Sequence, residues 1–334
     1  MDKIREKHLR PGRKILDQFI VASVLASALS ILSVLLIPKK AQALAFEFFK
    51  SILGGDQDAA TFLQNYSIFI CIWIAMFLVV VIFKGNRPML QAVKYCSPRV
   101  WGGTDRAAGC NGNHAGNNIR GLLIGLALGF VCNSFCILMS VLLGDIHLEY
   151  SGFKLIPFAA FFICVFIQSA GEELADRWYL YQKLRRRYKA PWIAIVINSL
   201  AFVALHLLNP GISIPAVTQI FVVAVIFSLF VYYYNGLWVA AAFHASWNFT
   251  QSIVFGLPNS GIVSAYSVFR LDAASAENGP FYNVNFGVEG SLGAVVILIA
   301  LGVVLILKNR GKTEHTDVWV QADQAAIEKK ARSV

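Results

Sequence analysis

Eight apolar runs of helix-spanning length dominate this 334-residue chain, at residues 15–37, 67–83, 122–143, 160–181, 192–208, 214–234, 237–255 and 292–307. A run of about 18 or more apolar residues matches the hydrocarbon core of a bilayer once it forms a helix, which satisfies its own backbone polar groups. The chain is 57% hydrophobic and 14% charged, against roughly 25% charged in soluble domains. Little sequence is left for a separate soluble domain. The expected fold is all-α: a polytopic helical membrane domain of about eight transmembrane helices over residues 1–310, with a charged cytoplasmic tail at 311–334.

The net charge of +10 could point to nucleic acid, but its distribution points to a bilayer. Lys3, Arg5, Lys7, Arg10, Arg13 and Lys14 precede the first run, and Lys84, Arg87, Lys94, Arg99, Arg106 and Arg120 separate the second from the third. Lys183, Arg185, Arg186, Arg187 and Lys189 follow the fourth; Lys308, Arg310 and Lys312 follow the eighth. The alternate connections, 144–155, 209–213 and 256–289, are poor in basic residues, and Lys39, Lys40 and Lys50 depart from the pattern. Basic residues are retained on the cytoplasmic side of spans. The expectation is eight spans with both termini cytoplasmic, in the cell (inner) membrane, with lipid headgroups rather than nucleic acid as partner. Ala41-Gln42-Ala43 looks like a signal-peptidase site, but the run before it is longer than the roughly 7–15 residues of a signal core. An uncleaved anchor helix is expected.

Inside these runs lie Glu172, His206, His244 and Asn248. An ionisable group in a span costs several kcal/mol by most estimates and marks a functional site by default. Glu172 precedes the basic cluster at Arg185 by 13 residues, or about 20 Å of helix. His206 is about 22 Å deep, and His244 and Asn248 about 12 and 18 Å, by the same rise. Three helices thus deliver polar groups to an overlapping depth, and His244 and Asn248, spaced i,i+4, share a face. The types suit hydrolysis. Glu172 and His206 can deprotonate a water, His244 and Asn248 can donate to an oxyanion, and Glu173 and Arg177, also i,i+4, can pair and orient Glu172.

Glu172-Glu173-x-x-x-Arg177, Phe202-x-x-x-His206 and His244-x-x-x-Asn248, in that order on separate apolar helices, resemble the three motifs of the CAAX prenyl protease 2 and bacteriocin-processing (CPBP, or Abi) family of intramembrane proteases. The core motif region spans 156–255. The resemblance implies an intramembrane endopeptidase acting on a peptide or membrane-protein substrate. Glu172 and His206 match the family's water-activating residues, and His244 and Asn248 its oxyanion-stabilising pair; Glu173, Arg177 and Phe202 support them. The family has been described both with and without metal. With no HExxH in the chain, a site without cofactor is the expectation; a Zn site would take Glu172, His206 and His244.

Two other classes fit the residues less closely. Buried Glu and His also build the proton relays of transporters, although no broken-helix pair or internal repeat is evident. A non-catalytic bacteriocin-immunity protein would keep the fold without the reaction. The loops 85–120 and 256–290 carry no interpretable motif beyond a short interfacial helix expected near 89–95, and His114 reads as solvated. Cys71, Cys132, Cys136 and Cys164 read as small apolar residues of spans, and Cys96 and Cys110 as reduced cytosolic thiols.

Overall fold

The computed structural model describes residues 15–95, 117–188, 190–311 and 317–319. Helix α1 (Phe19–Leu35) stops short of Pro38, and α2 (Lys39–Ile52) leaves it at 70°; a residue before proline is pushed out of helical geometry. Helices α3 (Gln57–Ser67) and α4 (Ile70–Ile82) continue as one segment, begun by an Asp56 side chain that accepts from Ala59 N at 3.0 Å. Asn118 starts α5 (Ile119–Leu143) in the same way, and Gly144 ends it at φ 82°, a conformation that glycine adopts without strain. Helix α6 (Leu155–Glu173) passes through a π-helical segment (Leu174–Leu180) into α7 (Tyr181–Arg187). Then follow α8 (Pro191–His206), α9 (Ile214–Tyr234), α10 (Leu237–Phe249) with a second π-helical segment (Thr250–Val254), and α11 (Leu292–Lys308).

Large apolar side chains, among them Ile82, Leu123, Leu142, Val296 and Leu307, face outward. A soluble protein would not expose so many at once. With the apolar helices beneath them, they make this a multi-pass membrane protein. Among the described residues, four helices are long and apolar enough to cross a bilayer, Gln57–Ile82, Ile119–Leu143, Leu155–Arg187 and Ile214–Tyr234, or up to five with the bent α1–α2 pair. The other runs read as spans from the sequence do not reach that length as single helices. Helices α8 and α11 are apolar but have only 16 and 17 residues. Helix α10 has only 13 residues, nearly all of them buried in protein rather than facing outward. The all-α expectation also needs one amendment: β1 (Leu148–Tyr150) pairs antiparallel with β2 (Phe269–Leu271), placing Glu149 opposite Arg270.

The basic and basic-poor connections gather at opposite ends. At one end, the β1–β2 pairing joins connection 144–155 to 256–289, and Gly211 and Pro210 abut Asn285 and Gly261. At the other, Arg186 pairs with Asp17 and donates to Gly85 O at 3.0 Å. There too Arg185 meets Asp317 at 3.2 Å, and Trp319 Nε1 donates to Gln182 O at 2.9 Å. Helix α2 buries none of its residues, so Lys39, Lys40 and Lys50 ride on an amphipathic helix that has left the line of α1. In place of the interfacial helix expected near 89–95, a 3-10 segment covers Lys84–Ala92 and buries Met89. Cys136 and Cys164 are buried and Cys71 and Cys132 half-buried, all as free thiols. Ala41–Ala43 lie within α2. The basic N-terminal residues through Lys14, Cys96, Cys110, His114 and nearly all of the 311–334 tail lie outside the described residues.

Helix α10 carries the third motif and packs on α5 through glycine. A Cβ at Gly125 would meet Val239 O at 2.4 Å, and one at Gly129 would meet Phe243 O at 2.4 Å. Small residues at four-residue spacing let two helix backbones approach to this distance. Their closeness fixes the face of α10 that carries His244 and Asn248.

Candidate active site

Glu172, His206, His244 and Asn248 all line one cavity of about 480 Å³ between α1, α3, α4, α6, α8, α9 and α10. The first motif closes α6. Glu173 is wholly buried, and its Oε1 accepts from Arg177 Nη1 at 3.1 Å. The expected i,i+4 ion pair therefore forms. The same oxygen lies 3.0 Å from His244 Nδ1, so Glu173 ties the first motif to the third rather than to Glu172. The guanidinium carbon of Arg177 sits 4.3 Å from the centre of the Phe202 ring and 5.3 Å from that of Phe227. Aromatic faces offer a buried cation such a partner, which gives Phe202 of the second motif a physical task.

Glu172, half-buried, accepts from Gln168 Nε2 at 2.6 Å on one oxygen, and the other lies 3.8 Å from His244 Nε2. His206 places Nδ1 2.8 Å from Phe202 O. A carbonyl only accepts, so Nδ1 carries hydrogen and Nε2 of the neutral ring keeps its lone pair. His244 is buried, stacked at 5.4 Å on Phe227, with Glu173 on its Nδ1. Asn248 donates from Nδ2 to Ser169 Oγ at 3.4 Å and accepts on Oδ1 from Asn259 Nδ2 at 3.2 Å. The π-helical segments begin directly after Glu173 and Phe249, and such segments recur at functional sites because they re-aim side chains within a helix. Asn198 Nδ2 caps Asp176 O there at 2.7 Å.

The structure also brings in groups that motif reasoning passed over. Glu289, from the 3-10 turn before α11, accepts from Trp247 Nε1 at 3.1 Å, Asn259 Nδ2 at 3.3 Å and Ser260 N at 2.8 Å. Burial pushes its carboxyl above the ordinary value, and the Ser260 and Trp247 donors oppose the shift. Gln168 and Ser169 link Asn248 to Glu172 through a 3.0 Å bond. Gln168 had a legible signal, its i,i+4 spacing to Glu172. Glu289 and Asn259 had none, being single polar residues of a loop. Among the described residues no group of three or more His, Cys, Asp or Glu side chains is disposed to hold a metal ion.

No curated protein and no solved structure matches the chain. A protein-family model does match: the type II CAAX prenyl endopeptidase Rce1-like family, over residues 153–250. That segment holds all three motifs. Residues 153–250 thus match an Rce1-like domain.

Proposed function

We propose that the protein is an intramembrane endopeptidase that hydrolyses a peptide bond with a water activated by Glu172 and His206. The supporting observation is that Glu173 links Arg177 to His244 while Glu172, His206, His244 and Asn248 share one cavity. The water oxygen attacks the scissile carbonyl carbon and its proton passes to Glu172, with Nε2 of His206 as the second acceptor. Negative charge then grows on the carbonyl oxygen. His244, as an imidazolium with Glu173 as counterion on Nδ1, donates from Nε2, and Asn248 donates from Nδ2. Collapse of the tetrahedral intermediate breaks the C–N bond, and the leaving amine takes the proton held by Glu172. No cofactor enters this scheme.

The same reading takes all eight apolar helices as crossings or part-crossings of the cell membrane, with the basic end, and so both termini, cytoplasmic. The substrate is a peptide or a membrane-anchored polypeptide that reaches the cavity from the bilayer. Purified protein in lipid nanodiscs tests the reaction against quenched fluorescent peptides, one ending in a farnesylated CAAX sequence and one unprenylated. Wild type should cleave at least one of them, and Glu172→Gln neither. Equal cleavage by both proteins would remove Glu172 from the reaction and overturn the proposal.

A further inference from the structure

The connection 256–290 reaches back into the helical bundle and ends one hydrogen bond from the proposed oxyanion site. Gln251 begins this return: its Nε2 donates to Pro258 O at 2.5 Å, and its Oε1 accepts from Asn133 Nδ2 at 2.9 Å. Asn259 and Ser260 follow at the cavity wall, and Glu289 closes it from the other end of the loop. We infer that Asn259, held by Glu289, is a positioning residue that fixes which end of the Asn248 amide faces the cavity.

The inference rests on the reading of Asn248 as an oxyanion donor and on donor–acceptor chemistry. A primary amide is nearly symmetric in shape, so packing alone does not choose between its oxygen and its nitrogen. Hydrogen-bond partners make the choice. Glu289 Oε1 already accepts from Trp247 Nε1, which only donates, and lies 3.3 Å from the Asn259 amide. The atom that Asn259 presents to this carboxylate must therefore be its nitrogen. The second hydrogen of that nitrogen points to Asn248, at 3.2 Å, and only an oxygen there can accept it. Asn248 is left with Nδ2 turned to the Ser169 side, where its present bond is a long 3.4 Å. An NH₂ group held weakly at the cavity wall is free to donate to a developing negative charge. The reverse orientation would set a carbonyl oxygen against that charge.

Glu289, Asn259, Asn248, Ser169, Gln168 and Glu172 thus form one chain of hydrogen bonds. The carboxylate at its far end, on a loop that no motif covers, sets the polarity of the amide in the site. The 256–290 loop then acts on catalysis through Asn248.

The test is Asn259→Asp, which is isosteric but offers Asn248 an acceptor instead of a donor. Two measurements read it. In protein labelled with ¹⁵N-asparagine in nanodiscs, the Asn248 side-chain NH₂ signal is identified by its loss in Asn248→Ala, and its exchange with water is measured. It should exchange readily in wild type and slow at least tenfold in Asn259→Asp, as the amide turns to face the new carboxylate. With either quenched peptide above, Asn259→Asp should lower kcat by on the order of 10²–10³ with KM little moved, the usual loss for one oxyanion donor. In an Asn248→Ala background the same substitution should have little further effect, the non-additivity expected of two residues acting as one unit. A merely structural role predicts the opposite ranking, with Asn259→Leu more damaging than Asn259→Asp in both backgrounds. Unchanged exchange in Asn259→Asp would overturn the inference whether or not a peptide is cleaved. Slowed exchange with full kcat, and full kcat in Asn248→Ala, would instead remove Asn248 from the proposed mechanism.

Discussion

Glu173 Oε1 stands 3.0 Å from His244 Nδ1 and 3.1 Å from Arg177 Nη1, joining residues 71 positions apart in the chain to a pair within one helix. One carboxylate oxygen thus serves as ion-pair partner and as orienter of an imidazole. Its own geometry is held by an arginine whose remaining nitrogens, Nε and Nη2, have no hydrogen-bond partner among the described residues and whose plane lies against Phe202 and Phe227.

Arg177→Lys should therefore not be conservative. Lysine keeps the charge but loses the planar group that lies against Phe202 and Phe227. Removing the partner outright, as in Arg177→Ala, strands a buried carboxylate and should cost about 3–5 kcal/mol. Folded yield and thermal midpoint in detergent should fall for both variants, more for alanine. A midpoint unchanged in Arg177→Ala would show that the pair is not the support described here.

The kinetic signatures of the four cavity residues should differ. Glu172→Ala and His206→Ala remove the proposed base and should abolish measurable hydrolysis. Asn248→Ala should retain a residue of activity, with kcat down by on the order of 10²–10³ and KM little changed. Activity should survive exhaustive treatment with phenanthroline; loss on chelation, restored by stoichiometric Zn²⁺, would give the site a metal after all. Full activity in a folded Glu172→Ala protein would remove Glu172 from the reaction, whereas no cleavage of any peptide by folded wild type would favour the proton-relay transporter.

The contact between α5 and α10 should tolerate no added atoms. Gly129→Ala places a Cβ against Phe243 O and 2.9 Å from the Ser246 Cβ, and overpacking of this kind typically costs about 1–3 kcal/mol. Gly302→Ala in α11 is the control, because its Cβ would meet only Ile226 Cγ1, at 3.7 Å, and alanine favours helix by about 1 kcal/mol. Thermal midpoints should move in opposite directions. Because α10 carries His244 and Asn248, Gly129→Ala should also lower kcat.

The helices and the cavity residues were legible in the sequence for different reasons. Apolar runs announce helices because a bilayer allows few alternatives, and charge announced which connections share an end. The number of full spans was not legible, because periodicity cannot tell a helix enclosed by protein, such as α10, from one that faces lipid. Glu172, His206, His244 and Asn248 stood out because they break apolar runs. Glu289 and Asn259 lie in a polar loop where nothing distinguishes them, and their importance arises only when residue 259 is brought beside residue 248. Glu173 was legible as the partner of Arg177 through its i,i+4 spacing. Its tie to His244 is long-range, and no local pattern carries it.

The state of Glu289 yields a further expectation, with a sign that can be worked out. Its carboxyl is held above the ordinary value of 4.5 by burial, so the folded protein binds this proton more tightly than the unfolded chain does. The group's contribution is then fully present below the unfolded value and lost as pH rises through the higher folded value. The stability of wild type relative to Glu289→Gln should fall across that window and level off above it. Thermal midpoints of both proteins in detergent, taken from pH 4 upward at about half-unit steps, measure the difference directly. A difference that grows with pH would mean that the donors from Ser260, Asn259 and Trp247 outweigh burial, so that the folded carboxylate sits below its ordinary value.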